Sequence, residues 1–119
     1  MATSSLTEAV FSLPELDRRG GVALARDFAR RASAVCGYLG CLDDVVLVVN
    51  ELATDAVCHG SGRPFVRIVG GRDRLLVEII DTALPRLRGW GMELVATLAR
   101  SWGVTVRAGE RVVWCELTA

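Results

Sequence analysis

Glu51, Asp55 and His59 recur every four residues within Asp44-Val-Val-Leu-Val-Val-Asn-Glu-Leu-Ala-Thr-Asp-Ala-Val-Cys-His-Gly60, a stretch that is otherwise mostly apolar. At about 100° per residue, that spacing stacks the three side chains over successive turns of a helix, with a drift of roughly 40° per step, so they share one face. Two carboxylates so placed repel by roughly 0.2–0.5 kcal/mol, and the helix gains nothing locally in return. Two readings of the stripe stand side by side. It is either the solvated face of an amphipathic helix, or a lining of acidic and imidazole groups for a cation, a phosphate-bound magnesium or a proton transfer. A metal-dependent hydrolase on the same trio is the weaker version of the second reading. The H-E-x-x-H spacing is missing, and the third ligand would lie two turns from the first.

Two more segments carry groups able to meet a ligand. Asp81 ends the run Leu75-Leu-Val-Glu-Ile-Ile80, and ligands of layered α/β folds tend to sit beyond strand ends, although a strand-end Asp also serves as a turn former or helix cap. Gly89-Trp-Gly-Met92 opens a candidate helix. Its glycines either let backbone amides approach an anion at the helix N-terminus, or simply make a flexible turn. Arg26, Arg30 and Arg31 form a local basic cluster that faces either a partner or the solvent.

The elements that must position these groups follow from periodicity. Thr7 to Leu13 alternates weakly and stops at Pro14, which suits an edge strand. Val22, Leu24, Ala25, Phe28, Ala29, Ala32 and Val35 recur at near-helical intervals until Gly37 and Gly40. Asp43 is placed as an N-cap, with Asp44 in the first turn, for a long central helix from about Asp43 to His59 that stops at Gly60. The runs Phe65 to Val69 and Arg74 to Asp81 flank the turn residues Gly70-Gly71-Arg72-Asp73 and predict a hairpin. A third helix is expected from about Met92 to Ser101. Trp102 to Val106 and Arg111 to Leu117 bracket Ala108-Gly109-Glu110 as a second hairpin. The order β-α-α-β-β-α-β-β predicts an α/β, two-layer sandwich of a mixed β-sheet with about three helices on one face.

The 119 residues suffice for one domain spanning 1–119. The longest unbroken apolar run, Val45 to Val49, is far below the roughly 20 residues of a membrane helix. The first residues lack a basic n-region and an apolar h-region, so a cytoplasmic protein is expected. Formal charge is zero, and every basic residue is an Arg. Bulk electrostatics therefore give no ground for a direct nucleic-acid role. Cys36, Cys41, Cys58 and Cys115 form no C-x-x-C pair and sit in apolar surroundings, so they read as reduced packing residues.

The order of the candidate segments carries more than each alone. Glu51 with Asp55, then Asp81 followed by Pro85, then Gly89-x-Gly91, then Trp102-Gly103-Val104 leading to Val112-Val113-Trp114-Cys115-Glu116-Leu117 together resemble the ATP-binding anti-sigma-factor serine kinases of bacteria. Those proteins belong to the histidine-kinase-like ATPase superfamily, with the histidine-kinase catalytic domains, the ATPase part of DNA gyrase and the heat-shock chaperone ATPases. The resemblance runs from about Pro14 to Leu117 and is most specific over Val48 to Gly60. It implies the histidine-kinase-like ATPase fold, with ATP and Mg2+ as cofactors. Glu51 would be the catalytic carboxylate near the γ-phosphate. Asp55 would stand where the family has a magnesium-holding Asn, Asp81 would read the adenine amino group, and Gly89 and Gly91 would lie beside the phosphates.

The partners so implied are a sigma factor, an anti-anti-sigma factor phosphorylated on serine, or both; the basic cluster of Arg26, Arg30 and Arg31 on the first helix is the contact surface expected from charge. The resemblance implies no membrane and is compatible with a homodimer. The chain departs from the family at Asp55, at Ala83 in the place of a common Gly, and in the brevity of Thr82 to Arg88, where the family carries a longer lid. A nucleotide-free interaction module that sequesters a regulator is the alternative.

Overall fold

The computed structural model describes residues 6–12, 18–59, 64–81 and 92–119. Strand β1 (Thr7–Ser12) leads to helix α1 (Arg18–Cys36) and helix α2 (Leu42–His59), followed by strands β2 (Phe65–Gly70) and β3 (Arg74–Asp81), helix α3 (Met92–Leu98), and strands β4 (Ser101–Arg107) and β5 (Glu110–Thr118). The element order is the one the sequence predicts.

Helix α1 buries Ala25, Phe28, Ala29, Ala32 and Cys36, a spacing that keeps one stripe against the core. It ends in a Schellman arrangement. Gly37 takes a φ of 72°, the Gly37 amide donates to the Ala34 carbonyl, and the Tyr38 amide donates to the Ser33 carbonyl, each at 3.0 Å, which satisfies carbonyls the helix end would otherwise leave unpaired.

Helix α2 lies beside α1 on the same sheet face, over β3, with α3 on its other side, and this enclosure accounts for its near-continuous apolar character. Val45, Val48, Val49, Leu52, Ala53 and Ala56 are all buried. Asp43, placed at the cap by the sequence, lies instead inside the first turn with Asp44. The ladder begins ahead of it, with the Val45 amide donating to the Cys41 carbonyl at 3.4 Å. There both carboxylates complement the positive end of the helix dipole.

Helix α3 is shorter than expected. Ser101 belongs to β4, because the Arg100 amide donates to the Glu116 carbonyl at 2.8 Å and draws the chain into the sheet.

The sheet has the order β1-β2-β3-β5-β4, and every pairing is antiparallel. This corrects the expectation of a mixed sheet. The α3 crossover does make β4 run in the same direction as β3, but β5 turns back from β4 and inserts between the two. Like-directed strands are thereby separated. The β4–β5 reversal needs only two residues, Ala108 at φ 50° and Gly109 at φ 76°, the paired positive φ of a hairpin turn that matches strand twist.

One sheet face carries Val66, Ile68, Leu75, Val77, Ile79, Val113, Cys115 and Leu117, all buried and all in one cluster with α1 and α2. Phe11 of β1 stacks on Phe28 of α1 with ring centroids 5.4 Å apart. The result is a two-layer α/β sandwich with the helices on that face. No helix among the described residues is long and apolar enough to cross a membrane.

Candidate functional site

The loop between α1 and α2 is tied to the β2–β3 turn, since the Leu39 amide donates to the Arg72 carbonyl at 3.0 Å. Both α2 and β3 therefore start at this end of the sheet. An 18-residue helix covers about 27 Å at 1.5 Å per residue, and an 8-residue strand covers about 26 Å at 3.3 Å per residue. The C-terminal half of α2 and the end of β3 thus fall together at the opposite end. Asp55, His59 and Asp81, the ligand-facing groups expected from the sequence, belong to that end.

Asp55 is withdrawn from water, with only 2% of its surface exposed, and Glu51 one turn earlier is half-buried. Leu52, Ala53 and Ala56 around them are buried in the core cluster. A solvated helix face would leave both carboxylates in water, so for Asp55 that reading is replaced by a carboxylate held inside the fold. Taking a carboxylate out of water costs several kcal/mol unless specific interactions offset it. A chain does not gain stability from such a residue by packing alone.

The remaining members of the predicted site are only partly visible. The side chains of His59 and Asp81 lie outside the described residues, as do Gly89, Gly91 and the whole segment 82–91. Among the described residues, no three His, Cys, Asp or Glu side chains converge in a way that could hold a metal ion. The donor set that is described, a buried Asp one turn from a half-buried Glu, has the hard oxygens magnesium prefers.

The basic cluster on α1 divides. Arg26 is half-buried, and its Nη1 donates to Asn50 Oδ1 at 2.7 Å, joining α1 to α2 one residue before Glu51. Arg30 and Arg31 are exposed. Arg26 is thus engaged inside the protein, and the surface open to a partner is Arg30 with Arg31.

Cys36 and Cys115 are buried and free, as packing residues should be, whereas Cys41 is exposed. Cys58 lies outside the described side chains. Burial pushes the Cys115 thiol up to about 12, which keeps it protonated and unreactive near neutral pH. Burial also pushes Cys36 up, against a weaker pull from the Gly70 backbone. The Cys36 Sγ donates to the Thr7 carbonyl at 3.5 Å.

One charged cluster escaped the sequence reading. On the face opposite the helices, Arg67 of β2 bonds Glu78 of β3 directly and Glu8 of β1 at 2.7 Å. Burial alone would lower the Arg67 pKa, but the bonds to Glu78 and Glu8 outweigh it and raise the value. A signal was present. Arg67 and Glu78 each interrupt an otherwise apolar strand, carry opposite charge, and sit directly across from one another in the hairpin register.

Compared with protein-family models and with curated proteins, the sequence matches none.

Proposed function

We propose that this chain is a regulatory protein of the anti-sigma-factor type that binds ATP with magnesium and acts as a serine/threonine kinase on an anti-anti-sigma partner. The observation that carries the reading is Asp55, 2% exposed, on the helix that the resemblance assigns to nucleotide. Its position brings hard carboxylate oxygens inside the fold where the resemblance has the magnesium-holding residue. In this reading Asp55 holds magnesium on the phosphates, Glu51 orients or deprotonates the attacking hydroxyl, and Asp81 accepts from the adenine amino group. Gly89 and Gly91 offer backbone amides to the phosphates. Sequestration of a sigma factor is the regulatory output, with the exposed Arg30 and Arg31 as contacts.

Isothermal titration with ATP and with GTP, each with and without magnesium, tests the nucleotide part. The wild-type chain binds ATP in preference to GTP. Asp81→Asn loses that preference, because guanine presents an oxygen where adenine presents an amino group. A folded chain with no ATP affinity at millimolar concentration would overturn the reading and leave the nucleotide-free interaction module in its place.

A further inference from the structure

At the end of the sheet remote from Asp55, a cleft of about 720 Å³ opens among the β2–β3 turn, the end of β5 and the connection from α3 to β4. Three guanidinium side chains reach it, Arg72 and Arg74 from the β2–β3 turn and the first residue of β3 and Arg100 from the α3–β4 connection, against the carboxylates of Asp73 and Glu116. Arg74 makes only a loose ion pair with Glu116, at 3.9 Å, and 70% of its side chain stays exposed. Arg72 and Arg100 are exposed as well.

The backbone under these residues is held firmly. The Gly71 amide donates to the Arg74 carbonyl at 3.0 Å, the Leu39 amide to the Arg72 carbonyl at 3.0 Å, the Arg100 amide to the Glu116 carbonyl at 2.8 Å, and the Ala119 amide to the Asp73 carbonyl at 2.8 Å. Four separate chain segments are thereby pinned at one end of the sheet, so the cationic groups are gathered before any ligand arrives. In a chain of zero net charge, this cleft keeps a local positive excess.

We propose that this cleft binds an acidic peptide segment of a partner protein, whose carboxylates pair with Arg72, Arg74 and Arg100. Size favours a peptide over a single inorganic anion, since this volume is that of a site for an extended, multi-atom ligand. Guanidinium groups take carboxylates in planar, two-point contacts, as they also take phosphates, and it is the extent of the cleft that points to the carboxylates of a peptide. Leu6, 63% exposed and on the wall of the same cleft, gives an aliphatic side chain of the peptide an apolar contact. Thr118 adds a hydroxyl. The inference stands apart from the nucleotide reading, which concerns the opposite end of the molecule.

Fluorescence anisotropy of a labelled peptide Leu-Glu-Asp-Glu-Glu-Asp, titrated with the full chain, tests it. The peptide binds, and binding weakens as salt is raised. The Arg72→Gln/Arg100→Gln variant weakens it by about tenfold or more, losing two charge-assisted contacts, while the urea midpoint shows the variant to be folded. The single Arg72→Gln variant, on an exposed turn, gives the same direction of change if the double variant is poorly expressed. A Leu-Gln-Asn-Gln-Gln-Asn peptide does not bind. Equal binding of the amide peptide, equal binding by the variants, or no binding of the acidic peptide at millimolar protein would overturn the proposal. Displacement by an equal concentration of tripolyphosphate would also overturn it, by making the cleft a site for small phosphates.

Discussion

Among the described residues, two carboxylates leave water, on opposite sides of one sheet and in different surroundings. Glu78 is 5% exposed on the face away from the helices, where the hairpin register puts Arg67 directly across from it. Asp55 is 2% exposed on the helix side, on a helix whose neighbouring positions Leu52, Ala53 and Ala56 belong to the apolar core. Glu78 is explained by the fold alone. A strand pair supplies the opposite charge at hydrogen-bond distance, and the pair stays rigid because both residues are fixed in the ladder. Asp55 stands among apolar core residues, one turn from the half-buried Glu51. Burial by itself therefore does not mark a functional carboxylate; binding measurements on variants of each are what separate the two.

That contrast is most exposed to failure at Arg67. Arg67→Ala leaves Glu78 buried without its cross-strand partner, and breaking a fully buried pair costs roughly 3–5 kcal/mol. Because the Arg67 side chain keeps 29% of its exposure, a loss of about 2 kcal/mol is expected in urea unfolding, and Arg67→Met/Glu78→Leu should recover most of it. A double variant as unstable as the single one would mean that the pair is not what accommodates Glu78.

The Asp55 side of the comparison is sharpened by binding. Asp55→Ala should remove the magnesium dependence of ATP binding, a change of about tenfold or about 1.4 kcal/mol, whereas Asp55→Asn should retain it. Titration calorimetry on both variants reads the difference. If both keep the wild-type magnesium response, Asp55 is a structural carboxylate like Glu78.

The smallest expected effect belongs to charges that never leave water. Reversing Arg30 and Arg31 together, Arg30→Glu/Arg31→Glu, should move stability by no more than about 0.5 kcal/mol, while weakening capture of a sigma-type partner at low salt. Arg26 is unsuited to this test, since its guanidinium bonds Asn50. A thermal unfolding scan and a pull-down suffice. Unchanged partner binding would move the interface away from α1.

Much of the framework was legible in the chain itself. The 3.6-residue spacing of Ala25, Phe28, Ala29 and Ala32 and the stop at Gly37 delimit α1. The turn residues Gly70 to Asp73 and Ala108-Gly109 fix both hairpins. These are short-range matters, set by backbone preferences and by which face each residue points to. The stripe of Glu51, Asp55 and His59 was equally visible, because helical spacing alone puts it on one side of α2.

Only the tertiary structure decided what lies on that side and how the strands are ordered. The sequence of elements permits β4 beside β3 as well as β5 between them, and choosing the second turns a mixed sheet into an antiparallel one. The depth at which Asp55 sits, the capture of Arg26 by Asn50 and the pairing of Arg67 with Glu78 each join residues far apart in the chain. Periodicity reports the direction in which a side chain leaves its own element. Whether water or another element waits there is set by packing between elements, which local spacing does not encode.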